Sequence, residues 1–360
     1  MQILCLDIGS GTQDVLLLNT TQPLENAIQL VLPAPTVLVA NGIREATKRG
    51  DSILLTGDTM GGGACTQALK AHLESGLAVY AVPRAAATFN DDLEQITSWG
   101  VKIISPDEAK RLKTEATVLM QDINIKALRK ALFDWSIILD PDLVGVAVLD
   151  HGIANPEESQ RLSRFRYLER LLKKNNNLEA LTFTPEDLPS HFTRMQAVVR
   201  SLHSKAPLVL MDTGAAAVLG ASLDKIVAAH PHRLAINLGN SHTIAFLLLS
   251  TQILGLFEHH TKQLTVAKLE AYLEKFLAGD LSLIEVWQDG GHGSLTIEKG
   301  QNPFLAATGP QSSLLASSRL NPYFAAPYGN AMLAGCFGLV KALGVRYPAF
   351  QEEIEKALLA

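Results

Sequence analysis

Residues 3–18 read ILCLDIGSGTQDVLLL, two apolar runs on either side of the small polar turn Gly9-Ser10-Gly11-Thr12. Apolar runs of this length broken by a glycine-containing turn predict a β-hairpin. Late in the chain the same theme returns: residues 232–250 read HRLAINLGNSHTIAFLLLS, with the turn Gly239-Asn240-Ser241-His242 between the runs. Small residues at such turns let main-chain N–H groups approach an anion closely. Two hairpins of this kind facing each other would hold a phosphate chain without a Walker loop; each one alone is more often only an ordinary hairpin.

Between the two hairpins the text is α/β in character. Apolar strands such as SILLTG, LAVYAVP and VKIIS alternate with helical stretches such as TQALKAHLE and DDLEQITSW. LVGVAVLD predicts another buried strand, followed by a helix starting near Asn155 and Pro156. APLVLMDTGAAAVLGA predicts strand, turn and an Ala-rich helix. A chain of 360 residues favours more than one core.

Composition limits what the chain can do. At 47% hydrophobic and 19% charged residues it is a globular sequence, not a disordered one. The formal net charge of -5 leaves no basic footprint, so nucleic acid is not expected as a partner. Cys5, Cys65 and Cys336 are far apart in sequence and cannot all be paired, which fits a reducing cytoplasm. No signal-peptide pattern opens the chain, and no apolar run reaches the roughly 20 residues that span a bilayer. The expectation is a cytoplasmic protein with no membrane contact.

The order of segments resembles the actin/Hsp70/sugar-kinase superfamily. LDIGSGTQDVLLL looks like its phosphate 1 motif, MDTGAAAVLGA like connect 1, INLGNSHTIAFLL like phosphate 2, LAATGPQSSLL like the adenosine loop and GNAMLAGCFGL like connect 2. The resemblance implies an α/β fold of two lobes with ribonuclease H-like (actin-like ATPase) topology and a nucleotide cleft between them. The lobes expected are 1–212, carrying an α/β insertion at about 33–135 and joined by the C-terminal helix 344–360, and 213–343. Ala215, Ala216, Ala217 and Gly220, with Ala331, Ala334 and Gly335, would let two helices cross closely where the lobes hinge.

The same resemblance implies ATP and Mg²⁺ as cofactors. Asp7 would hold a water of a phosphate-bound Mg²⁺, an ion that favours carboxylate and phosphate oxygens; the alternative is a plain turn carboxylate. Gly9, Ser10, Gly11, Thr12 and Gln13 would contact phosphates from the first hairpin, Gly239, Asn240, Ser241, His242 and Thr243 from the second, and Gly309 and Pro310 would belong to the adenosine loop. Asp212 stands where small-molecule kinases of the superfamily place a general base; the alternative is a helix cap. Asn237 replaces the acid that the ATPase pattern has before the glycine, which puts fast hydrolysis in doubt. His242 would touch the γ-phosphate, although a lone loop histidine is more often simply solvated.

Asp150 and His151 close a strand at its carboxyl end, where open α/β sheets bind ligands, and would serve as substrate or second-metal residues unless they form only an exposed turn. Asp58 and Thr59, in the run Gly57-Asp58-Thr59-Met60-Gly61-Gly62-Gly63 ahead of a helix, are further substrate candidates. That run is not a Walker loop, because Gly63 stands where lysine is needed. The turn Asp289-Gly290-Gly291-His292-Gly293 is expected between strands and without chemistry.

More narrowly, the chain resembles an archaeal and bacterial family labelled as a pyruvate formate-lyase activating enzyme. A radical-SAM activase needs the cluster Cys-x-x-x-Cys-x-x-Cys, and the three cysteines here have no such spacing. The expected function is phosphotransferase-like: ATP in the cleft and Asp212 acting toward a small-molecule acceptor, as a kinase or slow ATPase. The alternative is an ATP-dependent switch or activator acting on a partner protein, without radical-SAM chemistry.

Overall fold

The computed structural model describes residues 1–153, 159–202 and 204–359. The opening hairpin is β1 (Gln2–Ile8) and β2 (Thr12–Asn19), extended by β3 (Ile28–Pro33). Strands β4 (Ile53–Gly57), β5 (Val79–Ala81), β6 (Lys102–Ile103) and β7 (Ala116–Met120) then form a separate parallel sheet in the order β6-β5-β4-β7. Ile53, Leu55, Cys65, Leu69, Val79 and Met120 build its own core.

The chain returns through β8 (Leu143–Val148), β9 (Thr182–Phe183) and β10 (Leu208–Met211) to complete a six-stranded sheet ordered β3-β2-β1-β8-β10-β9. The second sheet consists of β11 (His232–Leu238), β12 (His242–Leu249), β13 (Gln252–His260), β14 (Gly293–Thr296), β15 (Phe304–Thr308) and β16 (Tyr323–Phe324), ordered β14-β13-β12-β11-β15-β16. In both sheets the first strand pairs antiparallel with the second and parallel, on its other side, with a later strand, β8 in one and β15 in the other. β3-β2-β1-β8-β10 therefore has the topology of β13-β12-β11-β15-β16. This is the ribonuclease H-like topology repeated in two lobes, as the sequence motifs predict.

Alternation explains why these strands form where they do. In β1, Ile3 and Cys5 face one core while Leu4, Leu6 and Ile8 face another, so the strand is covered on both sides. In β12, Ile244, Phe246 and Leu248 face the same central core, and Ala245 and Leu247 face the outer core of the second sheet. Full burial of one such aliphatic side chain stabilises the fold by about 1.5–3 kcal/mol.

The central core is shared by both sheets because two helices, Thr213–Ala221 and Ala334–Arg346, cross between them. Their closeness depends on glycine. A Cβ on Gly220 would lie 1.7 Å from the Ala334 carbonyl oxygen, and one on Gly338 would lie 2.0 Å from that of Ala216. The helix Ala334–Arg346 also packs on β8, where Leu339 sits over Gly145. The terminal helix Gln351–Leu359 joins the same core through Ile354 and Ala357, and Glu353 pairs with the amino group of Met1.

The helix after β8 is seen from Gln160 to Lys174; its expected start at Asn155 and Pro156 lies outside the described residues. Among the described residues no helix is long and apolar enough to cross a membrane.

Candidate functional site

The two hairpin turns are built alike. Gly9 N–H donates to the Thr12 carbonyl at 2.9 Å, and Gly239 N–H donates to the His242 carbonyl at 2.9 Å. Their tips meet: Ser10 Oγ and Ser241 Oγ are 2.6 Å apart. A Cβ on Gly11 would lie 2.4 Å from Asn240 Nδ2, so the small residue is what lets the tips approach. Gly309, with φ +96°, packs beneath the second turn, where a Cβ would lie 2.5 Å from Asn237 Oδ1. Gln311 holds the same turn through its N–H to the Leu238 carbonyl and its side chain to Asn240 Oδ1. Thr243, by contrast, is fully buried against Thr261, away from the tips.

Asp7, next to last in β1, is buried; its Oδ1 accepts a hydrogen bond from Thr213 Oγ1, and a Cβ on Gly335 would lie 1.9 Å from Oδ2. Burial pushes its carboxyl up to about 7; the Thr213 hydroxyl opposes this and the nearby Asp212 adds to it. Across the hairpin in register stands Asp14, which the sequence reading missed. Burial and the neighbouring Asp7 push it up to about 8, and its Oδ1 is buried without a hydrogen-bond partner among the described residues. Two crowded carboxyls and a hydroxyl, all oxygen donors and one of them unpaired, fit the preferences of Mg²⁺.

Asp212 does two structural things at once. Its Oδ1 accepts from the N–H of Gly214 at 3.0 Å and so caps its own helix, while its Oδ2 binds Arg164 Nη2 at 2.8 Å. Arg164 is buried between two carboxylates, for its Nε also donates to Glu258 at 3.1 Å. Burial pushes Asp212 up while Arg164 opposes the shift; at Glu258, against the pull of burial, Arg164 holds the carboxyl below its usual range. Neither Arg164 nor Glu258 was a candidate from sequence.

Of the other expected substrate residues, Asp150 is satisfied by backbone, accepting from Gly152 N–H at 2.8 Å and Met195 N–H at 2.9 Å. Asp58 is held in a two-point ion pair by Arg200 at 2.7 and 2.9 Å and lies off the cavity. Thr59 does face the cavity, as do Gly61, Gly62 and Gly63. Arg194, fixed on Asp122 at 2.7 and 2.9 Å, adds a cation to that wall.

These elements enclose a cavity of about 410 Å³. Gly9 and Ser10 of the first hairpin, Gly239, Asn240, Ser241 and His242 of the second, and Asp150, His151 and Asp212 line it together with the loop 59–63. Asp7, Gly11, Thr12, Gln13, Thr243, Gly309 and Pro310 do not line it.

A histidine cluster closes one end. His151 Nε2 and His292 Nε2 are 3.0 Å apart, and the His242 ring lies 6.0 Å from the His151 ring and 4.9 Å from the His292 ring, centroid to centroid. His292 comes from the turn expected to carry no chemistry. That turn connects the helix Leu283–Gln288 to β14 rather than two strands, and its Asp289 accepts from His259, Tyr272 and Lys268.

The cysteines are arranged for packing. Cys5 and Cys336 lie in the central core and Cys65 in the core of the four-stranded sheet, all buried, and burial raises each thiol. An iron–sulfur cluster needs thiolates converging on one point, and this arrangement does not fit one.

Among solved structures, the chain is similar to the activator of the 2-hydroxyisocaproyl-CoA dehydratase from Clostridium difficile with bound ADPNP, at 11% identity over 100% of this chain and 98% of that chain, with a TM-score of 0.34. It is also similar to the ethanolamine utilization protein EutJ from Carboxydothermus hydrogenoformans, at 10% identity over 95% and 89% of the two chains, with a TM-score of 0.35. Likenesses this distant settle nothing about the site; the fold rests on the strand order of the two sheets. No curated protein matches the chain. A family model covers residues 60–314, most of the sequence, from the loop after Thr59 through the second hairpin. The chain belongs to the family described as "Putative pyruvate format-lyase activating enzyme (DUF1786)".

Proposed function

We propose that this protein is a nucleotide-dependent switch that binds Mg-ATP at the two hairpins and acts on a partner protein in the cytoplasm. The observation that carries this reading is the meeting of the two turns at Ser10 and Ser241. Those turns offer the phosphate-binding groups of both lobes, and a phosphate chain entering between them would replace the hydroxyl contact and part the tips. Lobe 1–212, with 344–360, and lobe 213–343 would then rotate about the helices that cross at Gly220 and Gly338. Packed helices of this kind shift between discrete arrangements more readily than they deform.

When bound, Mg²⁺ would supply charge neutralisation at the phosphates. Asp7 would orient a water of that ion with Asp14 beside it, and the Thr213 hydroxyl would keep Asp7 in place. Gly9 to Gln13 and Gly239 to His242 would supply turn backbone and hydroxyls, and Gly309 and Pro310 would border the base. Asn237, an amide, can orient a water but takes no proton, which suits a switch that holds its nucleotide.

A kinase reading keeps one observation in its favour: the cavity beside the hairpins has room for a small molecule, and Asp212 lines it. Its weakness is that both Asp212 oxygens are engaged, one by its own helix and one by Arg164. Incubating the full chain with Mg-ATP and a metabolite mixture separates the two. The switch reading expects ATP and ADP to bind with different affinities and no phosphorylated metabolite to form. A phosphorylated product accumulating over turnovers would replace it with the kinase.

A further inference from the structure

We propose that His151, His242 and His292 form a binding site for one divalent transition-metal ion of the Zn²⁺ class, held between the two lobes at the end of the cavity. One ligand nitrogen from each of the three lies within 4.8 Å of the others. Two nitrogens bound to a tetrahedral ion at about 2.0–2.1 Å lie about 3.3 Å apart. The His151–His292 pair, at 3.0 Å, is near that spacing, and a nitrogen as far as 4.8 Å away would close in by about 1.5 Å to reach it.

The alternative is that the cluster is merely packed, with one N–H···N bond between His151 and His292. That bond leaves His242 Nε2 buried with no partner among the described residues. A buried polar atom without a partner is costly and calls for an unseen one. No carboxylate hydrogen-bonds to any of the three rings among the described residues, so no acid holds them as imidazolium ions. Neutral imidazole is the form that binds metal.

Charges of both signs stand near the rings: Arg164, held between Asp212 and Glu258, repels a charge on all three, and Glu258 attracts one on His151 and His242. Three imidazole nitrogens without oxygen donors select Zn²⁺, Co²⁺ or Fe²⁺ over Mg²⁺ or Ca²⁺. This site is therefore distinct in chemistry from the oxygen donors at Asp7 and Asp14.

Position gives the ion a consequence. His151 follows β8 of the first sheet, whereas His242 opens β12 and His292 precedes β14 of the second. One ion would join the lobes beside the cavity. His151 and His242 line the cavity, so a fourth coordination position would open into it, as in zinc sites that bind water or a small substrate.

The test uses the full-length protein without nucleotide, so its outcome is independent of the switch reading. After stripping with a chelator, the protein is titrated with Zn²⁺ and Co²⁺, and retained metal is measured by elemental analysis after gel filtration. The expected result is one equivalent retained, with Co²⁺ giving the visible bands of a tetrahedral nitrogen site. His151→Asn and His242→Asn, both at the cavity edge, should each weaken binding by about 100-fold or more, since even indirect support of a ligand is worth 10–100-fold. Exposed His230→Ala should retain the ion. Failure of the stripped protein to retain either metal, or full retention by a folded His151→Asn or His242→Asn variant, overturns the site.

Discussion

Ser10 Oγ and Ser241 Oγ, 231 residues apart in the chain, stand 2.6 Å from each other and join the tips of two hairpins with the same internal hydrogen bond. A single hydroxyl pair of this kind contributes only about 1 kcal/mol. It can hold the tips together without preventing a ligand from parting them.

Gly11 sits at that junction, and its missing side chain matters to the approach of the tips. Gly11→Val would place Cβ within 2.8 Å of both Nδ2 and Cγ of Asn240 and hold the turns apart in the wrong geometry. Circular dichroism should stay that of the wild type while calorimetry shows Mg-ATP binding lost. Wild-type affinity in this variant would make the first hairpin purely structural.

The helix crossing is less forgiving. Gly220→Ala drives a methyl group into the Ala334 carbonyl at 1.7 Å, backbone that no rotamer change can relieve. Overpacking in a close core costs about 1–3 kcal/mol and sometimes more, and the upper end is expected here. Urea unfolding checks it, and the same substitution at exposed Gly42, which has open space around it, should leave the core undisturbed.

Asp212→Asn separates capping from charge. Asn caps a helix about as well as Asp, so a cap alone would make the change nearly silent. With Asn, either the bond from Gly214 is kept and an NH₂ faces the Arg164 donors, or the amide flips and the cap is lost. We expect about 1–3 kcal/mol of destabilisation with nucleotide affinity within a few-fold of wild type. Unchanged stability together with a large loss of turnover would instead support the general-base role.

Cys5, Cys65 and Cys336 are buried with raised thiols, so the native protein should resist thiol reagents at neutral pH and react at all three after denaturation. Anaerobic reconstitution with iron and sulfide should yield no stoichiometric cluster. Iron and sulfide bound near stoichiometry would show that the cysteines can converge.

What could be read from the sequence was local or periodic. The hairpins declare themselves because alternating apolar residues must face two cores and the turns between them need small residues. The helix crossing declares itself through Ala215, Ala216, Gly220 and Ala334, small residues with no other reason to gather. Long-range pairing left no such mark. Arg164 reaches Asp212 and Glu258 across 48 and 94 residues, and Arg200 captures Asp58 across 142. His292 sits in a glycine-rich turn whose text suggests only a bend, and it meets His151 only because the two sheets face each other. Asp14 was the nearest miss, since the hairpin register alone places it opposite Asp7.

The most direct test of the nucleotide switch is titration calorimetry of the full chain with ATP and ADP, each with and without Mg²⁺. The account predicts saturable binding of one nucleotide per chain, weakened when Mg²⁺ is removed or Asp7→Asn is introduced, and different affinities for ATP and ADP. Absence of saturable binding at millimolar nucleotide, or equal binding with and without Mg²⁺ in both wild type and Asp7→Asn, would contradict it.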